Sequence, residues 1–198
     1  MTCIIGFIDK TNGMTYMGCD SCISTGSTKA IMNEGKKKVF KLKDVNNAIL
    51  GFSGDVRDMN ILEYATGLID KRDEPDIDEE YVVTKFVPNL INIIEKNDRC
   101  RTSNGQKEME SYFLLAYKEK MWRISSDYSV TSFSDDYDAI GSGTYHALGS
   151  MATTEGLGMT PVRRIHKALQ VASKFVPSVA PPFHIINTKN DVITSFEC

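Results

Sequence analysis

Two short β-prone runs, residues 3–9 (CIIGFID) and 14–19 (MTYMGC), flank Lys10-Thr11-Asn12-Gly13. An Asn-Gly pair between such runs is a hairpin signal, because both residues accept the positive φ of a tight turn. The chain is therefore expected to open with a β-hairpin. Residues 20–37 are polar, contain Gly26 and Gly35, and read as a long connection. Residues 39–42 and 48–53 then supply two more strands.

After Gly54 the period changes. Met59, Leu62, Ala65, Leu68 and Ile69 recur at three- and four-residue spacing, which predicts an amphipathic helix from near Asp55. The acidic stretch 70–80, with Pro75, reads as a solvated loop. Val82, Val83, Phe86, Val87, Leu90 and Ile94 predict a second helix, which Pro88 should kink or begin. Residues 97–110 are polar and loop-like, and a second β block follows at 111–117, 121–125, 129–133 and 137–140. Helical patterns cover 144–154 and 161–176, with Pro161 suited to a first turn. Strands at 183–187 and 192–196, joined by a Lys-Asn-Asp turn, close the chain.

The order ββββ-αα-ββββ-αα-ββ is not the single alternation of a doubly wound fold. It predicts an α+β, four-layer αββα sandwich: two packed, mainly antiparallel sheets flanked by helix pairs. With no linker, internal repeat or low-complexity tract, residues 1–198 are expected to form a single domain.

Charge and composition remove several classes of function. A net charge of −3 argues against nucleic acid as the main partner, whose footprint is usually basic. No apolar run approaches the roughly 18 residues that span a bilayer, and the first residues lack a basic segment followed by a long apolar one. No membrane association and a cytoplasmic location are the expectation. Five cysteines, an odd number, do not suggest a secreted disulfide framework. Cys19-Asp20-Ser21-Cys22 is formally a C-x-x-C, but a four-thiolate zinc site needs a second such pair and none exists. Reduced, buried thiols are expected instead. His146, His166 and His184 have no ligand spacing and read as surface or helix residues.

A threonine hydroxyl is a weak nucleophile that needs a base within hydrogen-bond reach. An N-terminal threonine carries its own, because a free α-amine has a pKa of about 8 and a neighbouring ammonium lowers it further. Loss of Met1 would expose Thr2 in that form. Asp20 falls at the end of the second strand, beside the expected start of the first, and Lys38 at the start of the third. The pair could orient and tune Thr2. Each residue also has a plainer reading: Thr2 as an ordinary second residue, Asp20 as a strand end, Lys38 as one of the solvated run Lys36-Lys37-Lys38.

The opening MTCIIGFIDKTNGMTYMGCDSCISTG, the strand KKVFKL, LGFSGDVRD and AIGSGTYHALG resemble, in that order, the proteasome β-subunit and HslV-like family of N-terminal-nucleophile hydrolases. The likeness covers residues 2–65 and 111–155 well; elsewhere only the order of elements agrees. The motifs are short individually, and their order and spacing make the resemblance specific. It implies that Thr2 supplies nucleophile and base and that Asp20 and Lys38 tune them. It implies further that Gly54 N–H helps hold the oxyanion, that Ser142 hydrogen-bonds near the N-terminal amine, and that Ser24 pairs with substrate backbone. Gly54 also has a plainer reading, as a glycine that a strand-to-helix turn needs. No metal or organic cofactor is implied. The family carries an Asp, and a Ser three residues on, after the last long helix; Lys174 and Pro177 stand there instead, with Ser178 adjacent.

The implied activity is threonine-type peptide or amide hydrolysis through an acyl-enzyme, on peptides or unfolded proteins, in a homo-oligomeric ring with an unfoldase ATPase as partner. The alternatives are an amidase for small molecules or short peptides, a catalytically impaired scaffold subunit, and a thiol redox role for Cys19 and Cys22.

Overall fold

The computed structural model describes residues 2–25, 27–103, 105–190 and 192–197, without side chains at 74–76. Met1, Gly26, Asn104, Asp191 and Cys198 lie outside the described residues.

The opening hairpin forms as expected, β1 (Ile4–Asp9) pairing antiparallel with β2 (Met14–Cys19) so that Ile4 faces Cys19. The stretch read as a long connection instead contains a second hairpin, β3 (Cys22–Thr25) with β4 (Thr28–Ile31). All four residues of β4 are exposed, so no apolar alternation marked it. Strands β5 (Val39–Lys41) and β6 (Ala48–Ser53) follow as expected.

Helix α1 (Val56–Tyr64) is N-capped by Asp55, whose carboxylate accepts the Arg57 N–H. It stops at Ala65, so Leu68 and Ile69 lie beyond it despite their helical spacing. The Asp44 carboxylate accepts the N–H groups of Gly67, Leu68 and Ile69 and supplies an alternative to the helical ladder. The acidic stretch contains a 3-10 segment (Lys71–Asp76), followed by the short α2 (Glu79–Tyr81). Residues Val82–Phe86 then form a π-type turn before α3 (Val87–Lys96). Val87 N–H bonds to Val82 O, a five-residue step, and the wider turn accommodates Pro88, which has no N–H to give.

Residues 97–110 hold another exposed hairpin not expected from the sequence, β7 (Arg101–Ser103) with β8 (Gln106–Glu108). The second β block comprises β9 (Tyr112–Tyr117), β10 (Lys120–Ile124), β11 (Val130–Thr131) and β12 (Tyr137–Ile140). Helices α4 (Thr144–Thr153) and α5 (Pro161–Phe175) and strands β13 (Phe183–Asn187) and β14 (Thr194–Phe196) complete the chain.

The main sheets each have five strands, in the orders β12-β1-β2-β13-β14 and β11-β10-β9-β6-β5, and the pairings within them are antiparallel. Alternation along β1 feeds two of the three apolar layers. Ile4 packs with Met17, Ile49, Leu114 and Ile186 between the sheets, whereas Cys3 and Ile5 turn outward against Ile165, Leu169 and Ala172 of α5. The other sheet packs Phe52, Phe113 and Leu115 against Met59 and Leu62 of α1 and Leu90 and Ile94 of α3. The result is the expected αββα sandwich. Both faces of β1 are buried, which fixes its register and holds Thr2, two residues ahead of it, at one end of the sheets.

Candidate active site

Thr2 is buried, 2% exposed, and is gripped by the turn that leads from β12 into α4. Gly143 N–H donates to Thr2 O at 3.2 Å. Gly141, at φ +96°, comes so close that an added Cβ would stand 2.3 Å from the same oxygen; only glycine permits that approach. Ser142 Oγ accepts from Thr2 N–H at 3.2 Å and donates to Thr2 O at 3.2 Å. Ser178 Oγ lies 3.1 Å from Ser142 Oγ, and Ser178 as donor satisfies all three contacts.

Asp20 follows the last residue of β2 and is fully buried, and its carboxylate is saturated with donors. Oδ1 accepts Cys3 N–H at 2.9 Å and Lys38 Nζ at 2.8 Å. Oδ2 accepts Cys22 N–H at 2.9 Å and Ala180 N–H at 3.4 Å. Lys38, just ahead of β5, is held by Phe52 N–H on its own carbonyl, and its ammonium also donates to Cys22 O at 2.5 Å. Two of its three hydrogens are thus used, leaving one for the cavity that it lines. Lys38 is therefore unlike its neighbours: Lys36 pairs with the Glu63 carboxylate and Lys37 with a backbone carbonyl, both nearer the surface. A buried ion pair carries a desolvation cost that is offset only when further hydrogen bonds complete it, and this pair is complete.

A cavity of about 360 Å³ opens beside these groups, lined by Thr2, Lys38, Ser24 and Gly54 together with the apolar side chains of Ile23, Met32, Phe52, Val56 and Met59. Gly54 closes β6 at φ +148°, and a Cβ there would meet Ser111 Oγ at 2.5 Å and Glu110 O at 2.6 Å. The turn accepts glycine alone. Ser24 Oγ is buried with no hydrogen-bond partner among the described residues.

Thr2, Asp20, Lys38, Gly54, Ser142 and Ser24, all singled out from sequence, thus converge, the first five around the N-terminal segment and Ser24 on the cavity wall. Lys174 and Pro177, at the family's Asp and Ser positions, are exposed, while Ser178 is buried against Ser142. The backbone groups of Cys22 and Ala180, and the apolar lining beyond Ser24, had no sequence signal, because they arrive through tertiary packing. The thiols contribute in another way. Cys3, Cys19 and Cys22 are buried and free. Burial, reinforced by the Asp20 charge, raises the Cys3 thiol and pushes Cys19 up to about 12, which keeps the reactive thiolate scarce. The histidines stand apart from the site: His146 stacks on Phe175 and His166 on Phe196, while His184 is a buried strand residue, contrary to the surface or helix position expected.

No family model matches the chain. It is 27% identical over 165 residues to the ATP-dependent protease subunit HslV of Pseudothermotoga lettingae, covering 82% of this chain and 85% of that protein. In sequence the chain is HslV-like. Its fold agrees with solved structures: BPH of Thiobacillus denitrificans in complex with epoxomicin, at TM-score 0.71 and 15% identity over 93% of this chain and 97% of that one; and eukaryotic HslV from Trypanosoma brucei, at TM-score 0.65 and 17% identity over 94% and 98%. Sequence and fold together support an HslV-like and proteasome-like threonine peptidase family with the N-terminal-nucleophile hydrolase fold. Among the described residues no helix is long and apolar enough to cross a membrane.

Proposed function

We propose that the mature chain begins at Thr2 and is a threonine-type endopeptidase acting through an acyl-enzyme. The observation that carries this reading is the completed Asp20–Lys38 ion pair beside Thr2, with Ser142 and Ser178 on the Thr2 nitrogen side. While Met1 is attached, that nitrogen is an amide and has no basic lone pair. Once Met1 is removed it becomes an amine, and the Lys38 charge lowers its pKa.

The amine takes the Thr2 Oγ proton, directly or through a water, as the oxygen attacks the substrate carbonyl. The tetrahedral oxyanion is held by the Gly54 N–H, a fixed donor of the kind that contributes most in acyl transfer. The C–N bond breaks, and the amine returns the proton to the leaving nitrogen. Water then hydrolyses the Thr2 ester and frees the acid. These steps use only groups of the chain itself. The apolar lining from Met32, Phe52, Val56 and Met59 supports a preference for an apolar side chain just before the cleaved bond. Ser24, on the same wall, is positioned to meet substrate backbone.

The name of the Pseudothermotoga relative, an ATP-dependent protease subunit, supports peptide or unfolded-protein substrates and an ATPase partner; the homo-oligomeric ring, the cytoplasmic location and the single domain over residues 1–198 are part of the same proposal and rest on the family resemblance and the sequence. Intact mass tests the premise directly: the active protein should lack Met1 and gain one adduct from a peptide epoxyketone. Thr2→Ala should keep the fold and lose both the adduct and turnover, and undiminished cleavage by that variant refutes the assignment.

A further inference from the structure

Gly54 has no side chain to hold its own peptide group in place, yet an oxyanion donor is useful only if fixed. Its neighbours supply the restraint. Asp55 N–H donates to Ser111 Oγ at 3.3 Å, and Ser111 Oγ in turn donates to Asp58 Oδ2 at 2.7 Å. Asp58 Oδ1 accepts Arg99 Nε at 2.8 Å, and Arg99 Nη2 returns to Asp55 Oδ2 at 2.5 Å. The contacts form a closed ring through three chain segments: the β6–α1 turn, the exit of α3 and the entry of β9. Asp58 and Ser111 are wholly buried within it.

Helix capping does not require this ring, because Asp55 already caps α1 through Arg57 N–H. Nor does a buried carboxylate come free of desolvation cost. Fixing Asp55 N–H, however, anchors the peptide after Gly54, and with Ser111 packed against the Gly54 α-carbon it leaves Gly54 little freedom to rotate about φ and so to re-aim its own N–H. We propose that Ser111, locked by Asp58 and Arg99, is a positioning residue that holds the Gly54–Asp55 turn so that the Gly54 N–H stays aimed at the oxyanion. The proposal rests on the Thr2 and Gly54 roles given above.

The test compares wild type with Ser111→Ala, and with Arg99→Lys, which cannot bridge both carboxylates in the same fork and serves if the first variant folds poorly. In folded variants kcat should fall roughly 10- to 100-fold with KM within about twofold. The inhibition constant of a peptide aldehyde, whose adduct places an oxyanion at Gly54, should rise by the same factor as kcat/KM falls. An unchanged kcat, or a loss carried by KM with aldehyde affinity intact, overturns the proposal. If wild type shows no Thr2-dependent turnover, the functional reading itself falls. The positioning claim is then decided by hydrogen exchange in residues 53–56, which should quicken roughly 3- to 10-fold in Ser111→Ala; unchanged exchange overturns it.

Discussion

Replacing Asp20 by Asn removes one charge and almost no volume, which isolates the electrostatic role of the carboxylate. Each of its oxygens accepts two donors, from Cys3 and Lys38 on one side and Cys22 and Ala180 on the other. Whichever way the Asn amide turns, its NH2 faces two N–H donors, and Lys38 is left buried without a counter-charge. Breaking a buried ion pair from one side costs about 3–5 kcal/mol. At about 2–4 °C per kcal/mol for a chain of this size, the melting temperature should fall by roughly 6–20 °C. Scanning calorimetry at one fixed protein concentration measures it, since self-association would otherwise shift the result. A Lys38→Met partner variant completes the cycle: the double variant should be more stable than the sum of the single losses by at least about 1 kcal/mol. Asp20→Asn melting within about 2 °C of wild type, or strict additivity, would refute the view that this pair is tightly coupled.

Ser178→Ala removes the hydroxyl 3.1 Å from Ser142 Oγ; turnover is expected to fall roughly 3- to 10-fold with KM little changed, and stability by about 1 kcal/mol. Steady-state kinetics decide it, and an unaltered kcat removes Ser178 from the site. His184, whose Nδ1 lies 2.8 Å from Ser195 Oγ, has its pKa lowered from 6.5 by burial, with the Lys37 charge adding to the effect. The folded protein therefore binds fewer protons there than the unfolded chain. The stability contribution of this histidine is present above about pH 6.5 and lost as pH falls through the lower folded value. An NMR titration placing the His184 ring above 6.5 contradicts this.

The legible parts of the fold were those whose burial leaves a periodic trace. β1, β2, β6 and β9 are buried nearly throughout, and the patterns on α3 and α5 showed in Val87, Leu90, Ile94, Ile165 and Leu169. Strand β4 and the β7–β8 hairpin are held by backbone pairing on largely exposed chain, so their side chains carry no matching period. Leu68 and Ile69 misled for the opposite reason. Both are buried, but a distant carboxylate, Asp44, takes their N–H groups and ends the helix early. At the site, strand positions brought Asp20 and Lys38 near Thr2, but both also had plain readings as strand-end and surface residues, and the family resemblance decided between the two. Ser178 depended on where the chain after α5 settles against Ser142, which no local pattern encodes.

The Asp20 carboxylate also has a bearing on timing. It joins backbone groups as far apart as Cys3 and Ala180, and its bond to Ala180 N–H spans 160 residues. Contacts of such separation form late, because the chain between them must first be ordered. Acquisition of proteolytic competence and completion of folding would then coincide. A half-formed subunit, still surrounded by other nascent chains, would have no assembled nucleophile with which to cut them. On dilution from denaturant, peptide cleavage should return only with the slowest structural phase.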